Sequence, residues 1–379
     1  MPERRWPVVT TLGITQIFAW GSSYYLLAVL AAPIATDTGW TLNWIVGALS
    51  AGLLVAGLVS PRIGESINQY GGRPVLAVAS VLLALGLAIL GIAPSLPIFI
   101  IGWLVLGIGM GTGLYDAAFA TLGRIYGAAA RSAITTLTLW GGFASTICWP
   151  LSAFLVDHLG WRGACFTYAA IQLGFSLPLI VWILPSVQFT SKIAIQNQLE
   201  LGPLTPAERR TFGLLATILI VGGTTMSVVS VHLLTLLQAQ GVALTVAVTL
   251  GAVIGPSQVA ARIIEMVSGG RYHPLWTLTA AVSLIALGFA LLWAGFSIIA
   301  LSLVLYGAGN GIYSIARGTV PLALFGPQRY APLMGRLARP SLIAQAFAPS
   351  LGAIVLTQGG SSTTLAVLAG LAFTNAALV

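Results

Sequence analysis

Charge is what this sequence has least of. Of 379 residues only 6% are charged and 58% are hydrophobic, whereas a soluble domain carries about 25% charged residues. Too little polar surface remains to cover a folded chain in water, which all but excludes a soluble enzyme or binding module. Cysteine is nearly absent. Cys148 and Cys165 both lie inside apolar stretches, so neither a disulfide framework nor a cysteine-rich metal site can be built. His158, His232 and His273 are too dispersed for a ligand cluster. The net charge of +8 comes from single cations between apolar stretches rather than from a basic run, which argues against nucleic-acid binding. No G-x-x-x-x-G-K-[ST] loop is present, so an ATP-driven pump is not expected and no cofactor is called for.

What the sequence does have is apolar length. Stretches long enough to cross a bilayer, about 20 residues each, recur from end to end. They place spans 1 to 12 at 8–33, 43–64, 74–93, 97–122, 133–157, 162–184, 210–236, 246–268, 274–294, 296–320, 336–357 and 362–379. The breaks are chemical: Pro33, Gly71-Gly72-Arg73-Pro74, Ala93-Pro94-Ser95 and Gly359-Gly360-Ser361. Such lengths, and the need to satisfy every backbone group in lipid, select helix over strand. The expected fold is an all-α polytopic membrane protein of 12 transmembrane helices. Span 1 outruns a signal-peptide core and is read as retained. With the N-terminus in the cytoplasm, every one of the 16 cations except Arg162 and Arg262 falls on the inside. That alternation predicts a multi-pass protein of the inner membrane with both termini cytoplasmic. The chain stops at Val379 with no charged tail, which leaves a longer native chain open.

The spans divide into two related sets. Residues 185–209 form the one long polar inside segment, and they separate bundles at 1–184 and 210–379. Gly109-x-Gly111-x-Gly113-x-Tyr115 in span 4 recurs as Gly307-x-Gly309-x-Gly311-x-Tyr313 in span 10, 198 residues later. Gly71-Gly72-Arg73 recurs as Gly269-Gly270-Arg271 at the same offset. Two pseudo-symmetric six-helix bundles follow, with their shared interface the natural place for a substrate. The spaced glycines themselves read as a close-packing face rather than a dinucleotide fingerprint, since no strand–turn–helix surrounds them.

This layout resembles the major facilitator superfamily of secondary transporters. The family's loop after span 2 has the form G-x-x-x-D-R-x-G-R-R. Here it runs Gly64-Glu65-Ser66-Ile67-Asn68-Gln69-Tyr70-Gly71-Gly72-Arg73, so both glycines and the last Arg match while Asn68 and Gln69 replace the Asp and Arg. The resemblance implies an inner-gate latch at Gly64, Asn68, Gly71, Gly72 and Arg73, electrostatically weakened. Gly160-Trp161-Arg162 matches a further family feature. Gly39-Trp40 with Gly47-Ala48-Leu49-Ser50 looks like the monocarboxylate and oxalate–formate branches. Monocarboxylate carriers have D-x-x-x-R in span 8, whose Arg pairs with the substrate carboxylate. Gln258-Val259-Ala260-Ala261-Arg262 keeps that Arg without the Asp.

A charge inside a bilayer costs several kcal/mol, so each one requires a partner or a task. Arg262 suits a substrate carboxylate, because a guanidinium fork binds one in bidentate fashion; the bland alternative is a clamp to Glu265 at i+3. Glu265 suits a gate network or a proton carrier. Asp116, in span 4, is either neutralised by an Arg of another helix or protonated, which makes it a coupling candidate or half of a structural pair. In span 10, Tyr306, Asn310, Tyr313 and Arg317 share one face, and in span 1 Gln16, Trp20 and Tyr24 share another. Both stripes, with Tyr115, read as cavity lining or as packing and interface aromatics. The expected function is proton-coupled alternating-access transport of a small organic anion such as a monocarboxylate, by a monomer in the lipid bilayer. The rivals are an exporter of drugs or hydrophobic cations, and a non-transporting receptor or accessory protein on the same fold.

Overall fold

A computed structural model of the chain describes residues 5–186, 202–268 and 271–379, and every long element among them is helical. Arg4, Lys192 with the heart of the central segment, and Gly269-Gly270 lie outside the described residues. The helices are α1 (Arg5–Gly21), α2 (Leu27–Thr38), α3 (Leu42–Tyr70), α4 (Gly72–Ile92), α5 (Leu96–Gly113), α6 (Tyr115–Tyr126), α7 (Ala130–Gly141), α8 (Ala144–Ile171), α9 (Leu177–Ile183), α10 (Pro206–Ala239), α11 (Leu244–Ala252), α12 (Ile254–Val267), α13 (Pro274–Trp293) and α14 (Ile299–Ala377). Seven continuous helical runs among the described residues are long and apolar enough to cross a membrane. Two of these exceed any bilayer, at 88 and 79 residues. Left-handed glycines bend them: Gly160 (φ 69°) inside α8, and Gly326 (φ 73°) and Gly360 (φ 74°) inside α14. Only glycine enters that region without a Cβ penalty.

Local chemistry moved several boundaries. Pro33 does not end span 1. The helix passes through it to Thr38 and stops at Gly39, whose left-handed φ of 71° returns its N–H to Ala35. An interior proline removes one hydrogen bond, and the surrounding turns hold without it. Residues 321–335, expected as a loop between spans 10 and 11, are helical on either side of Gly326. The start of α10 is fixed by a capping box, with the Thr205 hydroxyl accepting from Glu208 N and the Glu208 carboxylate accepting from Thr205 N, and with Pro206 in the first turn.

The chain divides into two compact units. Unit 1 is Met1–Pro203 with Phe325–Arg339; unit 2 is Leu204–Leu324 with Pro340–Val379. Each packs on glycine contacts, and these set the register of the repeat. In unit 1, Gly107 and Gly111 press on the backbone of Gly52 and Ala56, and Gly109 on Leu83. In unit 2, Gly307 and Gly311 press on Ile254 and Gln258, and Gly309 on Ala281. By these contacts α5 maps onto α14 at an offset of 200, not at the 198 of the sequence match, while their partners on α3 and α12 stand 202 apart. Gly86 against Gly102 and Leu106, mirrored by Gly288 against Ser302 and Tyr306, gives the same 200 for the second helix of each pair. The slip has a physical cause: alternate glycines clear both faces of a helix, so a two-residue shift still lays glycine over glycine. Tyr115 and Tyr313 are therefore not structural counterparts.

Candidate functional site

Three spans of unit 1 are interrupted. Span 1 loses helix at Ser22–Leu26, span 4 at Leu114, where ψ is −169°, and span 5 at Gly142–Phe143. Backbone freed inside a membrane must find other partners, and side chains supply some of them. Gln16, 2% exposed, donates from Nε2 to the Gly113 carbonyl at 2.6 Å. Trp20 Nε1 donates back to Gln16 Oε1 at 3.2 Å. The Tyr115 hydroxyl donates to the Thr138 carbonyl at 3.4 Å, and its ring lies so close to Gly141 that a Cβ there would stand 2.8 Å from Cζ. In span 1, Tyr25 N reaches Trp20 O, and Ser23 Oγ donates to Ala19 O.

These bonds hold an aromatic cluster. The Trp20 ring lies 5.5 Å from Tyr24, 5.8 Å from Tyr25 and 5.0 Å from Tyr115. Tyr115 stacks on Phe119 at 5.1 Å and 10°, and Tyr25 meets the exposed Trp149 edge-on. Asp116 follows Tyr115 in the first turn of α6, where the positive end of a half-helix favours an acidic side chain. Gln16, Trp20, Tyr24 and Tyr115, singled out from sequence, thus belong to one region of unit 1, while Asp116 interacts electrostatically with Tyr330. Sequence reasoning missed Tyr25, Thr138 and Gly141. The Gly141-Gly142 doublet was the available signal for the break in span 5.

In unit 2, Arg262 is 5% exposed and donates from Nε to the Gly311 carbonyl at 3.2 Å, joining α12 to α14 at a crossing that glycine keeps close. Glu265 Oε1 accepts from the Thr277 hydroxyl of α13 at 2.8 Å, a partner the sequence did not suggest. The span 10 stripe turns inward within the unit. Tyr313 is buried and donates to the Ile218 carbonyl at 2.9 Å, the Tyr306 ring packs 5.1 Å from Phe289, Asn310 is buried, and Arg317 is half-buried.

A comparison with family models decides the class, since residues 12–271 match the model described as Major Facilitator Superfamily. The chain belongs to the major facilitator superfamily. Among its curated relatives are monocarboxylate transporters. Monocarboxylate transporter 11 of Mus musculus is 30% identical over 203 residues, covering 50% of this chain and 41% of the mouse protein. The human counterpart is 31% identical over 50% of this chain and 39% of its own length. The chain thus spans less than half of the curated relatives it matches. Among solved structures, the human organic anion transporter MFSD10 (TETRAN) superposes with a TM-score of 0.80 at 18% identity, covering 100% of this chain and 99% of that one.

The superfamily's loop motif can now be placed within unit 1. Gly64 meets the Ala331 carbonyl and Gly335 backbone, and Gly335 in turn meets Ser60, so α3 crosses residues 325–339 at backbone contact. Glu65 faces Arg336 at 3.6 Å. Asn68, which replaces the family's Asp, accepts from Arg124 NH1 at 3.4 Å. Gly71, at φ 83°, turns the chain, Gly72 packs on Thr121, and Arg73 opens α4 half-buried. Tyr330, fully buried against Gly123, was not foreseen. At the end of unit 1 where Gly39 and Gly160 turn, Asp37 accepts from Trp161 Nε1 at 2.9 Å and from Arg162, which also reaches the Ala93 carbonyl. Those two donors hold the Asp37 carboxyl below its ordinary pKa.

Proposed function

We propose that this chain is a secondary transporter that moves a small organic anion, a monocarboxylate first among them, across the inner membrane by alternating access coupled to protons. In this reading twelve spans form two pseudo-symmetric bundles, 1–184 and 210–379, joined by a cytoplasmic segment at 185–209. Both termini are cytoplasmic and the monomer is the working unit. One observation carries the substrate class: Arg262, a guanidinium buried in unit 2 at the position where the monocarboxylate branch keeps its substrate arginine. A buried cation favours an anion, and the fork of Arg suits a carboxylate. The names of the relatives, monocarboxylate and organic anion transporters, point the same way.

The test is binding of a radiolabelled monocarboxylate to purified protein. Removing one partner of a buried charge pair costs about 2–5 kcal/mol, so Arg262→Ala should weaken binding roughly 30-fold or more. Arg262→Lys should restore part of it, since an ammonium lacks the fork. Wild-type affinity in a folded Arg262→Ala protein would end the anion reading. The rival, export of hydrophobic or cationic compounds, draws on the Trp20, Tyr24, Tyr25 and Tyr115 cluster, because ring faces attract cations. Under that rival, a lipophilic cation should displace nothing at Arg262 yet quench Trp20.

A further inference from the structure

Unit 2 encloses a small cavity between α10, α13 and α14, lined by Thr225, Val282, Ile285, Tyr306, Ala372 and Asn375 among others. Its water-sized free space is about 10 Å³, close to the minimum that one water requires. Asn375 is 4% exposed, lines the cavity, and its Oδ1 has no hydrogen-bond partner. Tyr313, on the same helix, spends its hydroxyl proton on Ile218 O at 2.9 Å. In lipid such a group must be satisfied from inside the protein.

Unit 1 holds an amide–hydroxyl pair that is satisfied directly. There Gln172, on the last span of its bundle, donates from Nε2 to Ser22 Oγ on the first at 3.0 Å. That pair lies 150 residues apart. Asn375 and Thr225 are also 150 apart, on the last and first spans of their bundle, and the two pairs are related by a shift of 203 at both members. Asparagine is one methylene shorter than glutamine, and the hydroxyl proton of Thr225 is already given to Val221 O at 2.8 Å. Thr225 therefore has only lone pairs to offer, and so has Asn375 Oδ1. Two acceptors facing a gap of this size call for one molecule with two protons. A sodium ion fits poorly, because no carboxylate lines the cavity and these neutral oxygens are too few for a hard cation.

We propose that this cavity binds a single internal water, which donates to Asn375 Oδ1 and Thr225 Oγ1 and replaces the direct amide–hydroxyl bond of unit 1. The water ties the end of α14 to α10.

A high-resolution structure of the full-length protein tests this. Solvent density within hydrogen-bond distance of both Asn375 and Thr225 is the expected result; an empty cavity, or one that takes up xenon in pressurised crystals, overturns it. Asn375→Gln should expel the water, bond Thr225 directly and keep a thermal midpoint at or above wild type. A midpoint several degrees lower, with the water still in place, also overturns the proposal. Wild-type midpoints should agree in sodium and choline chloride at equal ionic strength; a rise specific to sodium would mark a cation site and overturn the water.

Discussion

Replacing Gly141 by alanine tests how the interrupted spans of unit 1 hold Tyr115. The new Cβ would meet the Tyr115 hydroxyl first, then Cζ at 2.8 Å and Cε1 at 2.9 Å, all inside contact distance. Overfilling a packed site costs about 1–3 kcal/mol. The phenol would also leave the Thr138 carbonyl, a bond that at 3.4 Å belongs at the low end of the roughly 0.5–1.5 kcal/mol range for neutral pairs. Gly141→Ala should therefore destabilise by about 2–3 kcal/mol. Tyr115→Phe alone should cost under about 1 kcal/mol. Combined, the two should cost less than their sum, because removing the hydroxyl removes the worst overlap. The ring carbons still crowd the methyl, so the relief is partial, about 1 kcal/mol of coupling. Denaturant unfolding of the four proteins in detergent gives the cycle. Additive losses, or an Gly141→Ala protein as stable as wild type, would refute the packing argument.

Two further outcomes are open to direct measurement. Asp37 has its carboxyl pKa lowered by the Trp161 and Arg162 hydrogen bonds, so its contribution is complete above the unfolded value near 3.9 and is lost as pH falls through the lower folded value; Asp37→Asn should flatten the acid limb of the thermal midpoint below about pH 4 and leave the neutral range parallel to wild type. The orientation predicts that Asp157→Cys reacts with an impermeant maleimide added to intact cells while Lys192→Cys does not, and the reverse pattern would overturn it.

The all-helical, membrane-spanning character is legible in the sequence because bilayer-length apolar runs are a global property. Arg262 was legible too, since a charge in so apolar a chain stands out by itself. The helix interruptions were not. Gly21-Ser22-Ser23 and Gly141-Gly142 are small residues that serve equally well in continuous membrane helices, and only their cross-span partners, Gln172 and Tyr115, distinguish a break. Pro33 misled in the opposite direction, because Gly39 rather than the proline supplies the left-handed stop. The repeat was read two residues out of register for the reason its glycines exist, to clear both helix faces at once. The inward turn of Tyr306 and Tyr313 was equally hidden, since a one-sided polar stripe does not say whether it faces a cavity or a neighbouring helix.

Proton-driven uptake of a monocarboxylate into proteoliposomes bears most directly on the proposed activity. Asp116, proposed here to carry the proton, stands in the first turn of α6, directly after the break at Leu114. With an imposed pH gradient, the wild type should accumulate labelled carboxylate above its equilibrium level. Asp116→Asn should lose that accumulation while still exchanging labelled for unlabelled substrate. Carboxylate that never accumulates in the wild type, or pH-driven accumulation that survives Asp116→Asn, would contradict the account.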